Sequence, residues 1–512
     1  MRAFGAVGDG KTIDSPAIDR AIEAAAAAGG GTVVFPAGTY ASYSIHLRSD
    51  ITLRLGPGAT LLAAESTAGR GYDAPEPNVW GDEHEYQDFG HSHWHNSLIW
   101  GEGVENVTIE GPGLIDGKGL WRGLHPPLGP APSPNAGNKA IALKLAKNVV
   151  IRGISILRAG HFGILATGVD NLTIEGVKID TNRDGIDVDA CRNVRISDVS
   201  VNTPNDDAIV LKASYALGEA RPTENVTITN SFVSGFEMGS MLDGTYRPPT
   251  TPAPDREGPA GRIKLGTESN GDFRNITISN VVFDHSRGLA LESVDGSKIE
   301  DVAVSNLTMR HTSSAPIFVR LGARMRGPAG TPVGSIRRVS IDNVVVSDAD
   351  PRYAATISGI PGHPVEDVTL SNVRIVSHGG LTLDDVARQP AALVNTFFFP
   401  EPRPREPYAV PEREKAYPEP SMFGLLPAYG FYIRHARGVE LNDVDVAFQD
   451  EDRRPAFVLE DVQGADFHHV KAETAAGVPT FVLEDVRDFS TFHSSPVKDM
   501  HLERVNERRS IP

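Results

Sequence analysis

The chain is patterned in short strokes. A turn residue is followed by a run in which apolar and polar positions alternate: Glu105-Asn106-Val107-Thr108-Ile109, Lys147-Asn148-Val149-Val150-Ile151, Asp170-Asn171-Leu172-Thr173-Ile174 and Arg192-Asn193-Val194-Arg195-Ile196. The phrase continues at Glu224-Asn225-Val226-Thr227-Ile228 and Arg274-Asn275-Ile276-Thr277-Ile278, and more loosely at Asp367-Val368-Thr369-Leu370 and Gly438-Val439-Glu440-Leu441. Alternation sends successive side chains to opposite faces of an extended chain, so each run reads as a half-buried strand. A second run usually follows after Gly, Asn or Asp, as in Gly176-Val177-Lys178-Ile179 and Asp198-Val199-Ser200-Val201. The Asn of the phrase recurs at 148, 171 and 193, a period of about 22 residues that falls in the solenoid range. No helical pattern fits between the strands, which argues against βαβ crossovers. A sandwich does not need the same phrase at the same point of each repeat, and a propeller repeat is about twice as long. The pattern predicts coils of two or three short strands, stacked so that each buries its apolar residues against its neighbours.

A solenoid needs its open ends covered. Asp14-Ser15-Pro16 predicts a helix start, with Asp14 or Ser15 as N-cap and Pro16 in the first turn. Ala17 to Ala28 continue the helix, and Gly29-Gly30-Gly31 end it. The organisation expected is one domain over 1–512, with a cap region over 1–40. Stretches at about 66–98, 120–140, 241–260 and 385–430 break the repeat. They are rich in Pro, Gly, His or aromatics, and such insertions map to loops, often on a binding face.

Composition narrows the partners. A formal net charge of -17 and a pI near 5.4 argue against nucleic acid or an anionic membrane, which reward clustered Lys and Arg. A local basic patch could still meet an acidic substrate. Cys191 is the one cysteine, so no intramolecular disulfide forms, and it is expected as a small buried residue. No apolar run approaches the roughly 18 residues of a membrane helix. Phe4-Gly5-Ala6-Val7-Gly8-Asp9-Gly10 already reads as folded domain, so any export signal is expected to lie outside this sequence.

Two segments carry candidate chemistry: Asn182-Arg183-Asp184-Gly185-Ile186-Asp187 and Asn205-Asp206-Asp207-Ala208-Ile209. Thr181 and Thr203 match across them, which puts Asp184 and Asp206 one coil apart. Equivalent residues on adjacent coils stack about 4.8 Å apart. Asp184, Asp206 and Asp207 are therefore expected on one patch, where like charges raise at least one pKa. Glycoside hydrolysis uses such a set, one protonated acid for the leaving oxygen and one carboxylate to activate water. Acidic turn residues or a calcium site fit the composition equally well.

Asn-x-Asp-Gly-x-Asp followed one coil later by Asp-Asp resembles glycoside hydrolase family 28, the polygalacturonase and rhamnogalacturonase-like enzymes. So do the opening Phe4-Gly-Ala-Val-Gly-Asp-Gly and Gly111-Pro-Gly-Leu-Ile-Asp116-Gly, and the likeness spans most of the chain, weakest after about 380. The resemblance implies an all-β chain, a right-handed parallel β-helix (solenoid) with an N-terminal capping helix and long loop insertions. It implies Asp206 as general acid, Asp184 and Asp207 as the base side, and inversion at the anomeric carbon. An inverting pair keeps its two sides roughly 6.5–9.5 Å apart. It implies no cofactor and no metal, a carbohydrate substrate and a secreted or periplasmic enzyme.

The chain departs from the family where the substrate carboxylate should be gripped. The family's Gly-His-Gly is replaced by Ser234-Gly235-Phe236-Glu237-Met238-Gly239 or, with 241–260 as an insertion, by Gly261-Arg262-Ile263. Its Arg-Ile-Lys is replaced by Gly288-Leu289-Ala290-Leu291-Glu292, while Arg262-Ile263-Lys264 stands one coil early. The clamp is thus expected to have moved to Arg262 and Lys264, or to Arg320 with Arg324 and Arg326; otherwise the sugar at the cleaved bond is neutral. Glu237 and Glu292 are expected near the substrate, as is His161, one coil before Asp184.

His91-Ser92-His93-Trp94-His95 puts three imidazoles on one face if extended, as substrate contacts, loop packing or a metal site. Trp80, Trp94, Trp100 and Trp121 precede the catalytic coils as sugar platforms or core, and the aromatic stretch from Tyr417 to Tyr432 is expected to wall the cleft. The reading is a hydrolase of pectic or related acidic chains, with exo action favoured by the long loops. The alternatives are a glycan-binding, tailspike-like β-helix and a polysaccharide lyase on the same fold.

Overall fold

In the computed structural model, which describes residues 1–78, 80, 86, 90–121, 135–250, 258–400 and 402–512, the recurring Asn stands where the chain turns into a strand. Asn106, Asn148, Asn171, Asn193 and Asn225 all take the left-handed conformation, with φ between 53° and 59°. Asn tolerates this region better than most residues, which is why it recurs there. The amides then ladder from coil to coil: Asn148 donates to Asn106 at 2.9 Å, Asn171 to Asn148 at 2.9 Å, Asn193 to Asn171 at 3.1 Å and Asn225 to Asn193 at 3.1 Å. The apolar positions after each Asn stack in the same way. Val149, Leu172, Val194 and Val226 form one column and Ile151, Ile174, Ile196 and Ile228 another, joined by parallel pairing and buried.

The chain divides into two compact units, Met1–Pro254 with Pro259–Gly261, and Asp255–Gly258 with Arg262–Pro512. The fold is a right-handed parallel β-helix. The first unit opens on the helix Ser15–Ala27, which buries Ala17, Ile18, Ala21 and Ile22. Its capping differs from expectation. The Asp14 carboxylate accepts the amides of Val7 and Gly8 at 2.7 and 3.0 Å, and the Ser15 hydroxyl accepts that of Tyr43 at 2.9 Å. Asp14 is the N-cap residue, as expected, but its side chain, like that of Ser15, ties another segment to the helix instead of making a capping hydrogen bond.

In the second unit the strands Phe273–Ser286, Lys298–Thr312, Ser335–Ala349, Val365–Gly379 and Phe431–Asp450 pair in parallel in that order. Phe431, Phe457 and Phe481 stack through its core, with centroids 5.9 and 4.7 Å apart. Two strands, Met500–Val505 and Arg509–Ile511, run antiparallel to Phe481–Phe492 and pair its edge, a device against edge-to-edge association that the repeat pattern does not announce.

Of the insertions, 79, 81–85, 87–89, 122–134, 251–257 and 401 lie outside the described residues. In the insertion at 385–430, the stretch from Tyr417 to Tyr432 expected to wall the cleft is instead core in good part. Met422, Phe423 and Leu426 are fully buried and pack with Phe318, Tyr353 and Tyr432. The same insertion holds a short helix, Leu383–Arg388, started by a capping box between Thr382 and Asp385.

Candidate active site

The strands Lys178–Asp180 and Ser200–Asn202 pair with Asp180 level with Asn202, yet in the next sheet Ile186 is level with Ile209. The second coil therefore carries one residue more in the turn between them. Asp184 is level with Asp207, not with Asp206 as Thr181 and Thr203 suggest: the Gly185 amide donates to the Asp207 carbonyl at 3.0 Å, and that of Ile186 to Ala208 at 2.9 Å. The extra residue throws the Asp206 side chain outward. Asp184 and Asp207 are 3% and 2% exposed, the Asp206 side chain 25%. The glycine of the motif has a packing reason. A Cβ on Gly185 would stand 2.3 Å from Val201 Cγ1 and 2.6 Å from the Ala208 carbonyl oxygen.

The Asp184 and Asp206 carboxyls converge, and Asp207 joins them through its backbone. The Asp207 amide donates to Asp184 Oδ1 at 3.2 Å and to Asp206 Oδ1 at 3.1 Å. One oxygen each of Asp184 and Asp206 and one ring nitrogen of His161 lie within 4.8 Å of one another. This is tighter than the expected 6.5–9.5 Å between the two sides of an inverting pair. Arg183 draws the group together, with Nη2 2.6 Å from Asp206 Oδ2 and 3.5 Å from His161 Nε2.

Burial pushes the Asp184 carboxyl well above its ordinary value, and the neighbouring Asp206 and Asp187 add to the rise. Burial, with the positive charge of Arg183 next, holds His161 well below its ordinary value, so this imidazole is neutral. Two carboxyls this close titrate as a pair and at intermediate pH share one proton. Burial favours that proton on Asp184.

The structure places His161 beside this group; sequence reasoning assigns Arg183 no role and leaves His91 among the alternatives for its run. Arg183 lies inside the motif, and its position before Asp184 was the available signal. The three histidines of the 91–95 run do not share a face. His91 Nε2 stands 3.5 Å from Asp187 Oδ2 and 3.8 Å from Asp184 Oδ2, His93 bonds the Glu76 carbonyl at 2.9 Å, and His95 pairs with Glu102 at 2.9 Å and stacks on Trp100. Trp94 is core, its indole donating to Thr167 Oγ1 at 3.0 Å. His161, Asp184 and Asp206 form one donor group of metal-like spacing, and His91, Asp184 and Asp187 another. They share Asp184, and the Arg183 guanidinium already supplies positive charge at Asp206.

Glu237 sits on a surface turn, ion-paired with Arg247 at 2.8 Å. The turn is tied down by Asp180, whose carboxylate accepts the amides of Gly239, Met241 and Leu242 at 2.8, 3.0 and 3.0 Å.

In the second unit, the residues expected to clamp a uronate are spent internally. Buried Arg262 pairs with buried Glu419 at 2.8 Å. Arg320, 1% exposed, donates to Ser358 Oγ at 2.8 Å and to the carbonyls of Gly359, Glu412 and Arg413 at 2.7, 3.1 and 3.3 Å. Arg324 forks onto buried Asp295. Glu292 is buried, level with Arg320 on the next strand, and accepts from Thr267 Oγ1 at 3.3 Å. Lys264 is buried on the strand Ile263–Ser269.

A parallel β-helix that brings two carboxyls together beside a guanidinium and a third aspartate, with one of those carboxyls raised by burial, has what glycosidic bond hydrolysis requires, and the protein is a glycoside hydrolase. Residues 83–241, which hold the whole group, match the model of the glycosyl hydrolases family 28, and residues 1–133 match that of rhamnogalacturonase A/epimerase, pectate lyase-like. The segment that holds the Asp184 and Asp206 carboxyls is thus the part of the chain that matches this family. The chain is 25% identical over 405 residues to a probable polygalacturonase of Vitis vinifera, covering 73% of each. It is 26% identical over 310 residues to the exo-poly-alpha-D-galacturonosidase of Dickeya chrysanthemi, covering 59% of this chain and 48% of that one. Among solved structures, the Yersinia enterocolitica family 28 exopolygalacturonase superposes with a TM-score of 0.63 at 19% identity, over 91% of this chain and 77% of the other.

Proposed function

We propose that the protein is an exported, inverting, exo-acting hydrolase of pectic or related acidic chains. Asp206 protonates the leaving oxygen, and Asp184 with Asp207 takes the proton of the attacking water. The observation that carries this is the convergence of the Asp184 and Asp206 carboxyls across two coils, with the Asp207 amide bonded to both, within the segment that matches family 28. The half-exposed position of Asp206 suits an acid that must reach a glycosidic oxygen, and the burial of Asp184 and Asp207 suits a base side. The named activities of the Vitis and Dickeya relatives support a pectic substrate.

The engagement of Arg262, Arg320 and Arg324 by the protein's own groups favours a neutral sugar at the cleaved bond, such as rhamnose, over plain polygalacturonate. Glu292 at the family's clamp position points the same way. Product analysis on polygalacturonate and on rhamnogalacturonan oligosaccharides tests this. Preferred release from rhamnogalacturonan is expected, with monomer or dimer appearing first. Polygalacturonate as the best substrate would refute the neutral-sugar reading. No release from any pectic chain would favour the glycan-binding alternative, and products with unsaturated ends would favour a lyase. The first-formed anomer, followed by NMR, is expected to be inverted.

A further inference from the structure

The strand Ile186–Asp189 turns Ile186 and Val188 into the core, so Asp187 points to the other face, level with Leu165 and Val210. The long insertion ending near residue 98 covers that face: Trp94 packs with Phe162 and Leu165, and the His91 ring lies 4.6 Å from that of Phe162. Asp187 is thereby fully buried, and neither of its oxygens has a hydrogen-bond partner among the described residues. A buried carboxylate needs a positive neighbour. The His91 Nε2 stands at ion-pair distance, 3.5 Å from Asp187 Oδ2, and the same nitrogen is 3.8 Å from Asp184 Oδ2.

Other charged groups face this cluster as well. Arg183 is committed to Asp206, and His161 is neutral. Lys139 donates to Asn138 Oδ1 at 2.6 Å and is held near 7 by burial, and buried Lys212, on the neighbouring strand level with Asp189, acts on Asp184 in the same direction as His91, as a smaller influence. Glycosidic cleavage with Asp206 as acid needs the shared proton on Asp206 and Asp184 as carboxylate. Burial, with the charges of Asp206 and Asp187, pushes it the other way round, and the His91 contact opposes that rise.

We propose that His91 is a positioning residue whose imidazolium, set between Asp184 and Asp187, holds Asp184 as the carboxylate and leaves the shared proton to Asp206. The inference rests on the hydrolase reading for its catalytic consequence, but not for its electrostatics. A cation beside Asp184 lowers that carboxyl's pKa, and Asp187 behind it keeps the imidazole charged. No bond is made or broken at His91, which acts only through Asp184.

Two measurements on the full chain test this, one independent of activity. In thermal unfolding at neutral pH, His91→Gln is expected to lower the melting temperature, because it strands buried carboxylates. Adding Asp187→Asn should restore most of that loss, and the loss should shrink near pH 4, where carboxyls take up protons. Strictly additive losses, or a loss unchanged with pH, would overturn the proposal whether or not the protein cleaves pectin.

In hydrolysis, removal of the cation raises the Asp184 pKa. The acidic limb of the kcat profile of His91→Gln should therefore move up by about one pH unit, a tenfold loss below it, while KM stays within about twofold. Asp187→Asn removes a negative neighbour and should move the limb down. Shifts of opposite sign are not a signature of general damage to the fold, and superimposable profiles for the three proteins would refute the assignment. A wild-type protein without hydrolase activity would refute the reading of function instead, while the unfolding cycle still decides the role of His91.

Discussion

Single residues in the site separate stability from activity. Asp184 is a buried acid whose carboxyl sits well above its ordinary value. Between the ordinary carboxylate range and that raised value the folded state holds more protons than the unfolded chain, so this group's contribution to stability falls as pH rises. Asp184→Asn removes the buried ionisable group and is expected to raise the melting temperature at neutral pH, with a smaller gain near pH 4, while hydrolysis is lost. Calorimetry at the two pH values checks the sign, and a lower melting temperature at neutral pH would show that the Asp184 charge stabilises the fold. Asp206→Asn differs, because it breaks an ion pair with Arg183 on a half-exposed side chain. Little change in stability is expected, with a loss of about 10²–10⁴-fold in kcat. Turnover near that of wild type would remove Asp206 from the role of acid.

At the level of elements, the coils are legible in sequence because one residue type does one job in each. The αL turn selects Asn, the inward positions select Val, Leu or Ile, and the phrase repeats. What the phrase does not encode is the turn between strands. One residue more before Asp206 than before Asp184 changes which carboxyls are level, and a match of Thr181 with Thr203 is blind to it. The long insertions are illegible for a related reason. Their aromatic and charged residues bury against each other rather than against a repeating neighbour, so periodicity gives no hint that Met422 is core or that His91 reaches Asp187. The basic run shows the same limit. Arg320 was read as a surface clamp, but its place level with Glu292 and Ser358 makes it a pin for the chain at 412–413.

Arg320→Ala is therefore expected to destabilise the protein by roughly 3 kcal/mol, because buried carbonyls lose a charged donor. A rise in KM without loss of stability would return Arg320 to the substrate. Gly185→Ala tests the close approach of coils. With no room for a Cβ beside Val201 and Ala208, a cost of about 1–3 kcal/mol is expected in denaturant unfolding.

Over the whole molecule, charge sets how an acidic polymer is met. The chain carries a formal charge of -17, and a pectic polymer rich in uronate is itself a polyanion. Their long-range interaction is repulsive, and only local groups such as Arg183 can offset it near the site. Salt screens such repulsion: the Debye length falls from about 30 Å at 0.01 M to about 8 Å at 0.15 M. KM for polygalacturonate should accordingly fall as salt is raised over this range, since screening relieves repulsion without touching the buried carboxyls. For a short oligosaccharide whose cleaved end is neutral, KM should change little, because few of its charges lie within a Debye length of the protein while it binds. The comparison bears on the substrate directly. If added salt weakens binding of the polyanion, a basic surface dominates its capture despite the net charge, and the argument for a neutral sugar at the cleaved bond loses its electrostatic support.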